Sequence, residues 1–95
     1  MASDFGEFMI SLMNEKPLRA IQYKLWKSKW GTMMPTARIA TFNIRLIFYP
    51  KEAIESVVVH ELCHLKEPSH NVRLHALMAH YLPDYKTREL ALKNK

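Results

Sequence analysis

A histidine and glutamate motif inside an apolar run constrains this chain more than any other feature. The stretch Val57-Val58-Val59-His60-Glu61-Leu62-Cys63-His64-Leu65 carries the pattern H-E-x-x-H. On an α-helix, residues four apart lie one turn above each other, so His60 and His64 project on one side. Two imidazoles so placed suit a zinc ion, and Glu61 lies beside them, where a carboxylate can accept a proton from water. Zinc lowers the pKa of its water to about 7 and polarises a carbonyl. The carboxylate then hands the proton to the leaving amine. A catalytic zinc keeps three protein ligands. His70 is the candidate for the third, beyond Glu67-Pro68-Ser69, enough chain for a helix to stop and turn back.

The context supports a helix. Pro50 suits a first turn, and the spacing predicts a helix from about Lys51 to Lys66. Ile54, Val58, Leu62 and Leu65 form one stripe, with Ala53, Val57, His60 and His64 on the adjoining one. The histidines then sit at the margin of the buried face, with Glu61 between the stripes. The alternative is an ordinary helix with two incidental histidines, but a carboxylate there is costly without a cation or a proton. Cys63 falls off the shared histidine side and reads as a small buried side chain. His75 and His80 follow His70 at five-residue steps, about 140° round a helix, so they are poor substitutes for it.

The remaining chain reads as a small α+β domain. Phe5, Phe8, Met9, Leu12 and Met13 recur at helical spacing within residues 4–15. A break at Asn14 to Pro17 follows, then period-two alternation that predicts a strand through residues 19–27. Met33-Met34-Pro35-Thr36 reads as a hairpin connection to a second strand at Arg38–Phe42, paired antiparallel with the first. Asn43 to Tyr49 is either a third strand or a helical turn. Glu67-Pro68 stops the motif helix, and Ser69 is the expected cap of the next. Val72, Leu74, Leu77, Met78, Tyr81 and Leu82 supply the apolar side of that helix, and Tyr85 to Lys93 is a last one.

Composition narrows the function classes. Ninety-five residues make one domain, divided as an N-terminal helix (1–18), a short sheet (19–49) and the motif helix with C-terminal helices (50–95). The single cysteine allows no internal disulfide. No signal peptide or membrane-length apolar segment is visible, so no membrane partner is expected and the cytoplasm is the default location. The net charge of +5 and Trp26-Lys27-Ser28-Lys29-Trp30 leave weak nucleic-acid binding as a second partner class, with a solvated basic surface as the plainer explanation. Oligomeric state is not readable.

Lys27-Ser28-Lys29-Trp30-Gly31-Thr32, Asn43-Ile44-Arg45-Leu46-Ile47, the run from Val57 through Pro68-Ser69-His70, and Tyr81-Leu82-Pro83-Asp84-Tyr85 together resemble the YgjP-like metallopeptidase family over residues 20–88. The chain is similar, more distantly, to the protease domains of the SprT and WLM groups, some of which act on proteins crosslinked to DNA. It departs from the YgjP-like pattern at Met33 and Met34, where a Cys is usual, and at Leu74 and His75, where aromatic residues are. The resemblance implies a minimal zincin-like fold, a short antiparallel sheet packed on the H-E-x-x-H helix with flanking helices. It also implies a zinc peptidase acting on peptide or protein substrates, with His60, His64 and His70 as ligands and Glu61 as base. By the same resemblance, residues 36–42 are the candidate edge strand that binds extended substrate, and residues 43–49 form a turn against the motif helix. The rival readings are a DNA-associated protease domain and a latent or non-catalytic zinc-stabilised interaction module whose cleft is covered by its own tail.

Overall fold

A computed structural model of the chain describes residues 17–93 together with Met9, Ser11 and Met13. Most of the expected N-terminal helix lies outside the described residues. Met9 and Met13 are both buried, and the Met13 amide donates to the Met9 carbonyl at 2.8 Å.

Three strands make one sheet: β1 (Ala20–Lys24), β2 (Gly31–Met34) and β3 (Ile39–Asn43). Their order is β1-β3-β2. β2 and β3 form an antiparallel hairpin with Gly31 opposite Phe42 and Met34 opposite Ile39. β1 runs parallel to β3, with Ala20 opposite Ile39 and Lys24 opposite Asn43. The sheet is therefore mixed, and the antiparallel pairing expected between the first strand and residues 38–42 is wrong. An unanticipated strand, β2, intervenes and reverses the chain once more. β2 is only four residues, opens on a glycine, and has no polar–apolar alternation, so periodicity could not reveal it. The hairpin turn accordingly falls at residues 35–38, two positions later than expected. Arg38 adopts a left-handed conformation there (φ 58°), and its Nε donates to the Pro17 carbonyl at 3.0 Å.

The first strand also stops earlier than its alternation suggested. Residues 25–30 form a crossing loop, and Asn43 at the end of β3 holds it. The Asn43 side chain, almost fully buried, donates through Nδ2 to the carbonyls of Trp26 (2.9 Å) and Lys29 (2.7 Å). Its Oδ1 accepts from the Arg45 amide at 3.0 Å, which caps a 3₁₀ helix at Ile44–Phe48. Arg45 adds bonds from its guanidinium to the carbonyls of Trp26 and Lys27. Both polar side chains of this stretch are thus structural, and the stretch is a turn that buries Leu46.

α1 (Lys51–Cys63) is the central element. Ala53, Ile54, Ser56, Val57, Val58, Val59, Glu61, Leu62 and Cys63 are all buried on it. A helix covered on nearly every side needs no narrow apolar stripe, and the two-stripe picture was too narrow for it. Ser56, fully buried on it, donates through its hydroxyl to the Ala53 carbonyl at 2.6 Å. Regular α-helix ends at Cys63, and three-residue hydrogen bonds tighten the turn from His64 to Lys66. α2 (Val72–Tyr81) is capped by Asn71, whose side chain accepts from the Leu74 amide at 3.1 Å. Ser69 is not the cap, so His70 lies in the connecting loop rather than in a first helical turn. Leu74 and Met78 are buried, whereas Val72, expected on the apolar side, is exposed. α3 (Tyr85–Lys93) lies against α1. Arg88 ties them: it pairs with Glu55 at 2.8 Å and Asp84 at 2.9 Å and donates to the Glu52 carbonyl at 3.3 Å. Among the described residues, no helix is long and apolar enough to cross a membrane.

Candidate metal centre

The turn after α1 brings three imidazoles together. The ligand-capable nitrogens of His60, His64 and His70 all lie within 4.8 Å of one another. His60 Nε2 and His70 Nε2 are 3.3 Å apart. Two nitrogens at about 2.0–2.1 Å from a tetrahedral zinc stand about 3.3 Å apart, so the His60–His70 spacing is that of two ligands of one such ion. Neutral imidazoles from two helix positions and one loop are also a suitable donor set for it.

The loop that returns His70 is built around Glu67. Its carboxylate accepts from the Ser69 amide at 3.4 Å and from Asn71 Nδ2 at 3.2 Å, and it lies 3.9 Å from Arg73. Its backbone carbonyl lies 3.0 Å from His64 Nδ1. A protonated Nδ1 donating there leaves Nε2 of His64 as the free ligand atom and fixes the ring, the usual outer support of a metal-binding imidazole. Glu67 was read in the sequence only as part of a helix stop. Its second task carries no spacing signature, because the bond uses a main-chain carbonyl available in any residue.

Electrostatics favour unprotonated imidazoles at His60 and His64. Burial, and then the neighbouring His64, His70 and His75, push the His60 pKa down to about 4. Burial likewise lowers His64, against the opposing effect of its bond to the Glu67 carbonyl. Glu61 is buried, and that burial raises its carboxyl to about 7. Gly31 at the start of β2 faces it: a methyl group built there would stand 3.1 Å from Glu61 Cγ, 3.2 Å from Oε2, and 3.2 Å from the Thr41 carbonyl. Only glycine lets the strand approach the carboxylate this closely.

Two cavities flank this point and share Gly31, His60 and Glu61 as walls. One, of 300 Å³, lies over the imidazole cluster and is bounded by Thr32, Met33 and Pro35. The other, of 310 Å³, extends toward Val57, Trp30 and α3. β2, an outer strand of the sheet, borders the cleft. Residues 36–42 do not provide that edge, since β3 is the central strand with a neighbour on each side.

Other sequence candidates fall elsewhere. His75 Nδ1 lies 3.1 Å from the Tyr85 hydroxyl, and His80 packs on Tyr81. Neither belongs to the imidazole cluster. Cys63 is fully buried, and burial pushes its thiol up to about 12. Trp30 meets Tyr49 edge-on at 4.9 Å with Arg45 over its ring at 5.0 Å, and Lys29 lies 5.8 Å over Trp26. Both indoles are thus already engaged, and residues 26–30 lie in a loop.

The sequence matches the model of the YgjP-like, metallopeptidase domain family over residues 7–95. The chain belongs to this family. It is therefore a metallopeptidase domain, a metal-dependent hydrolase whose substrates are peptides or proteins. No curated protein is similar to it. Solved structures similar in fold include two archaeal metallopeptidase zymogens. The metallopeptidase zymogen of Pyrococcus abyssi abylysin matches with a TM-score of 0.85 at 16% identity, over 99% of this chain and 93% of that one. The metallopeptidase zymogen of Methanocaldococcus jannaschii jannalysin matches with a TM-score of 0.81 at 17% identity, over 99% and 95%. Both likenesses bear out the α+β zincin-like architecture.

Proposed function

We propose that this domain is a zinc-dependent peptidase in which His60, His64 and His70 hold the metal and Glu61 is the general base. The convergence of the three imidazoles beside a buried carboxylate, with His60 Nε2 and His70 Nε2 3.3 Å apart, carries this reading. A zinc ion held there would acidify water and polarise a carbonyl. Glu61, buried beside the imidazoles, is the carboxylate placed to accept a proton from the attacking water and return it to the leaving amine.

The substrate backbone lies along β2 by strand addition. The Asn43 amide donates to the Trp30 carbonyl at 2.9 Å, so Trp30 faces β3. Alternation along an antiparallel ladder then directs the amide and carbonyl groups of Gly31 and Met33 to the open edge. Those groups bind an extended peptide and bring its scissile bond over Glu61.

The test is metal content and cleavage measured together. The parent chain should hold close to one zinc and cleave an unfolded protein substrate. Glu61→Gln should keep the zinc and lose about 10²–10⁴-fold in rate. A Glu61→Gln protein with full zinc and full activity would sink the proposal.

A second reading is that the chain as it stands is latent. Glu89 and Leu92 of α3 line the cavity beside His60 and Glu61. The two similar structures are described as zymogens, which favours testing it. Limited proteolysis beyond about residue 85 should then raise peptidase activity. A fall or no change would leave the intact chain as the active form.

A further inference from the structure

Charge is unevenly divided along this chain. Residues 17–51, which form the sheet and the 3₁₀ turn, hold seven lysines and arginines and no aspartate or glutamate. Residues 52–95 hold six of each sign. Arg38 and Arg45 are bonded to main-chain carbonyls, but Lys24, Lys27, Lys29 and Lys51 are exposed. The acidic residues that follow next in the chain are Glu52, which is exposed, and Glu55, which is paired with Arg88. The same region exposes apolar side chains: Phe48 at 81%, Ile47 at 70% and Leu25 at 69%, with Tyr23 and Ile44 also exposed. These side chains are neighbours. The β1–β3 ladder ends with Lys24 opposite Asn43, which sets Leu25 beside Ile44 as the chain leaves it. Residues three apart on a 3₁₀ helix eclipse, so Ile44 and Ile47 share one side. Ile47 and Tyr23 line one cavity of 230 Å³, whose lining includes no charged residue. Asn43 and Arg45 pin the 25–30 loop to the 3₁₀ turn, so the patch is pre-formed.

We propose that this end of the molecule, where Tyr23, Leu25, Ile44, Ile47 and Phe48 stand among Lys24, Lys27, Lys29 and Lys51, docks the domain on an anionic lipid surface. Contiguous exposed apolar side chains mark a contact surface rather than an ordinary solvated one. Their tips enter the boundary between headgroups and acyl chains, and the lysines face the anionic headgroups. A solvated basic surface explains the charge but not the apolar tips. Nucleic acid is the weaker match, because Leu25, Ile44 and Ile47 offer bases no ring to stack on and both indoles are engaged. Contact with a lipid surface needs no spanning helix, so it agrees with the lack of one among the described residues. β1 and β2 are the two outer strands of the sheet, on opposite edges. A surface met at the β1 side therefore leaves Gly31–Met34 and the imidazole cleft free. The inference does not depend on the peptidase reading.

The test is co-sedimentation of the full chain with two kinds of vesicle, phosphatidylcholine alone and phosphatidylcholine mixed in equal parts with phosphatidylglycerol. The chain should bind the mixed vesicles and not the neutral ones, and added salt should weaken binding. The double variant Ile47→Ser with Phe48→Ser should lose on the order of tenfold or more in partitioning. Both side chains are exposed, so a thermal melt should show the fold intact. Lys27→Gln with Lys51→Gln should lose a similar factor, roughly fivefold per lysine. Val72→Ser, equally exposed but on α2, should bind as the parent does. No binding to the mixed vesicles overturns the proposal. So does equal binding to neutral vesicles, a loss in Val72→Ser as large as in the double variant, or binding that the double variant keeps in full. A single-stranded oligonucleotide is the competing probe. Salt-sensitive binding to it that the Ile47 and Phe48 changes leave untouched, with no binding to the mixed vesicles, would give this surface to nucleic acid instead.

Discussion

Replacing Gly31 by alanine adds one methyl group at the point where β2 meets the carboxylate. That methyl would stand 3.1 Å from Glu61 Cγ, 3.2 Å from Oε2 and 3.2 Å from the Thr41 carbonyl. Comfortable carbon contacts lie near 3.5–4.0 Å, so about 0.3–0.5 Å must be found. Thr41 is main chain in the central strand and cannot yield. Glu61 is the end of a side chain and can. The displacement therefore falls on the carboxylate. Gly31 has no positive φ, so alanine meets no backbone strain, and the reduced freedom of the unfolded chain returns about 0.4–1 kcal/mol. Stability should stay within about 1 kcal/mol of the parent. A misplacement of about 1 Å costs on the order of 10²-fold in rate, so a few tenths should cost roughly threefold to tenfold in kcat, with KM little changed. Steady-state cleavage, zinc content and a thermal melt on the same preparation check this. Unchanged kcat with normal zinc would refute the argument that this contact positions Glu61. In a Glu61→Ala background, the stability effect of Gly31→Ala should shift toward stabilisation, because two of its three close contacts are gone.

Metal removal should matter to folding as well as to chemistry. Zinc at about a hundred times its Kd adds about 2.7 kcal/mol. For a domain of this size, each 1 kcal/mol moves Tm by about 4–8 °C, so a chelator should lower Tm by about 10–20 °C, and His70→Ala should remove most of that difference. The metal-free protein should also show a distinctive pH response. Folded Glu61 releases its proton near 7 rather than at 4.5, so its contribution to stability is lost as pH rises through that window. Folded His60 is protonated only near 4 rather than 6.5, so its contribution is lost as pH falls through that one. Glu61→Gln removes the first effect alone. Its stability relative to the parent, measured by urea unfolding with chelator present, should climb between about pH 4.5 and 7 and level off outside that range. Asn43→Ala leaves the Lys29 carbonyl without its side-chain donor and the Trp26 carbonyl with Arg45 alone, and should cost about 1–3 kcal/mol. Arg88→Met breaks the partly buried pair with Glu55 and the bonds holding α3 to α1, and should cost about 1–2 kcal/mol in the same assay.

The elements whose signal is local were legible. The H-E-x-x-H helix, the break after it, α2 and α3 all follow from helical spacing and from proline placement, within a few residues. So did the pairing of His60 with His64, because helix geometry fixes it. The errors lie where pairing partners are distant in sequence. Strand direction depends on how often the chain reverses, and the four residues of β2 are too few to announce a reversal. Once β2 exists, β3 becomes central, β1 must run parallel to it, and the open edge passes from residues 36–42 to Gly31–Met34. The cap of α2 was misplaced by two residues for a similar reason. Ser69 and Asn71 are both good caps, and the choice was made by Glu67, which holds both in a tertiary turn.

The sequence by itself thus determined which groups are available for chemistry: two imidazoles and a carboxylate on one helix, a third imidazole just beyond it, and the apolar run that buries them. Periodicity and residue type are local properties, and these conclusions need nothing else. Only the tertiary structure decided how far apart the nitrogens stand, which main-chain carbonyl orients His64, which strand borders the cleft, and that Gly31 is the residue pressed against Glu61. Each of these is a contact across many residues of chain, made by packing a mixed sheet on a central helix, and no spacing rule encodes it.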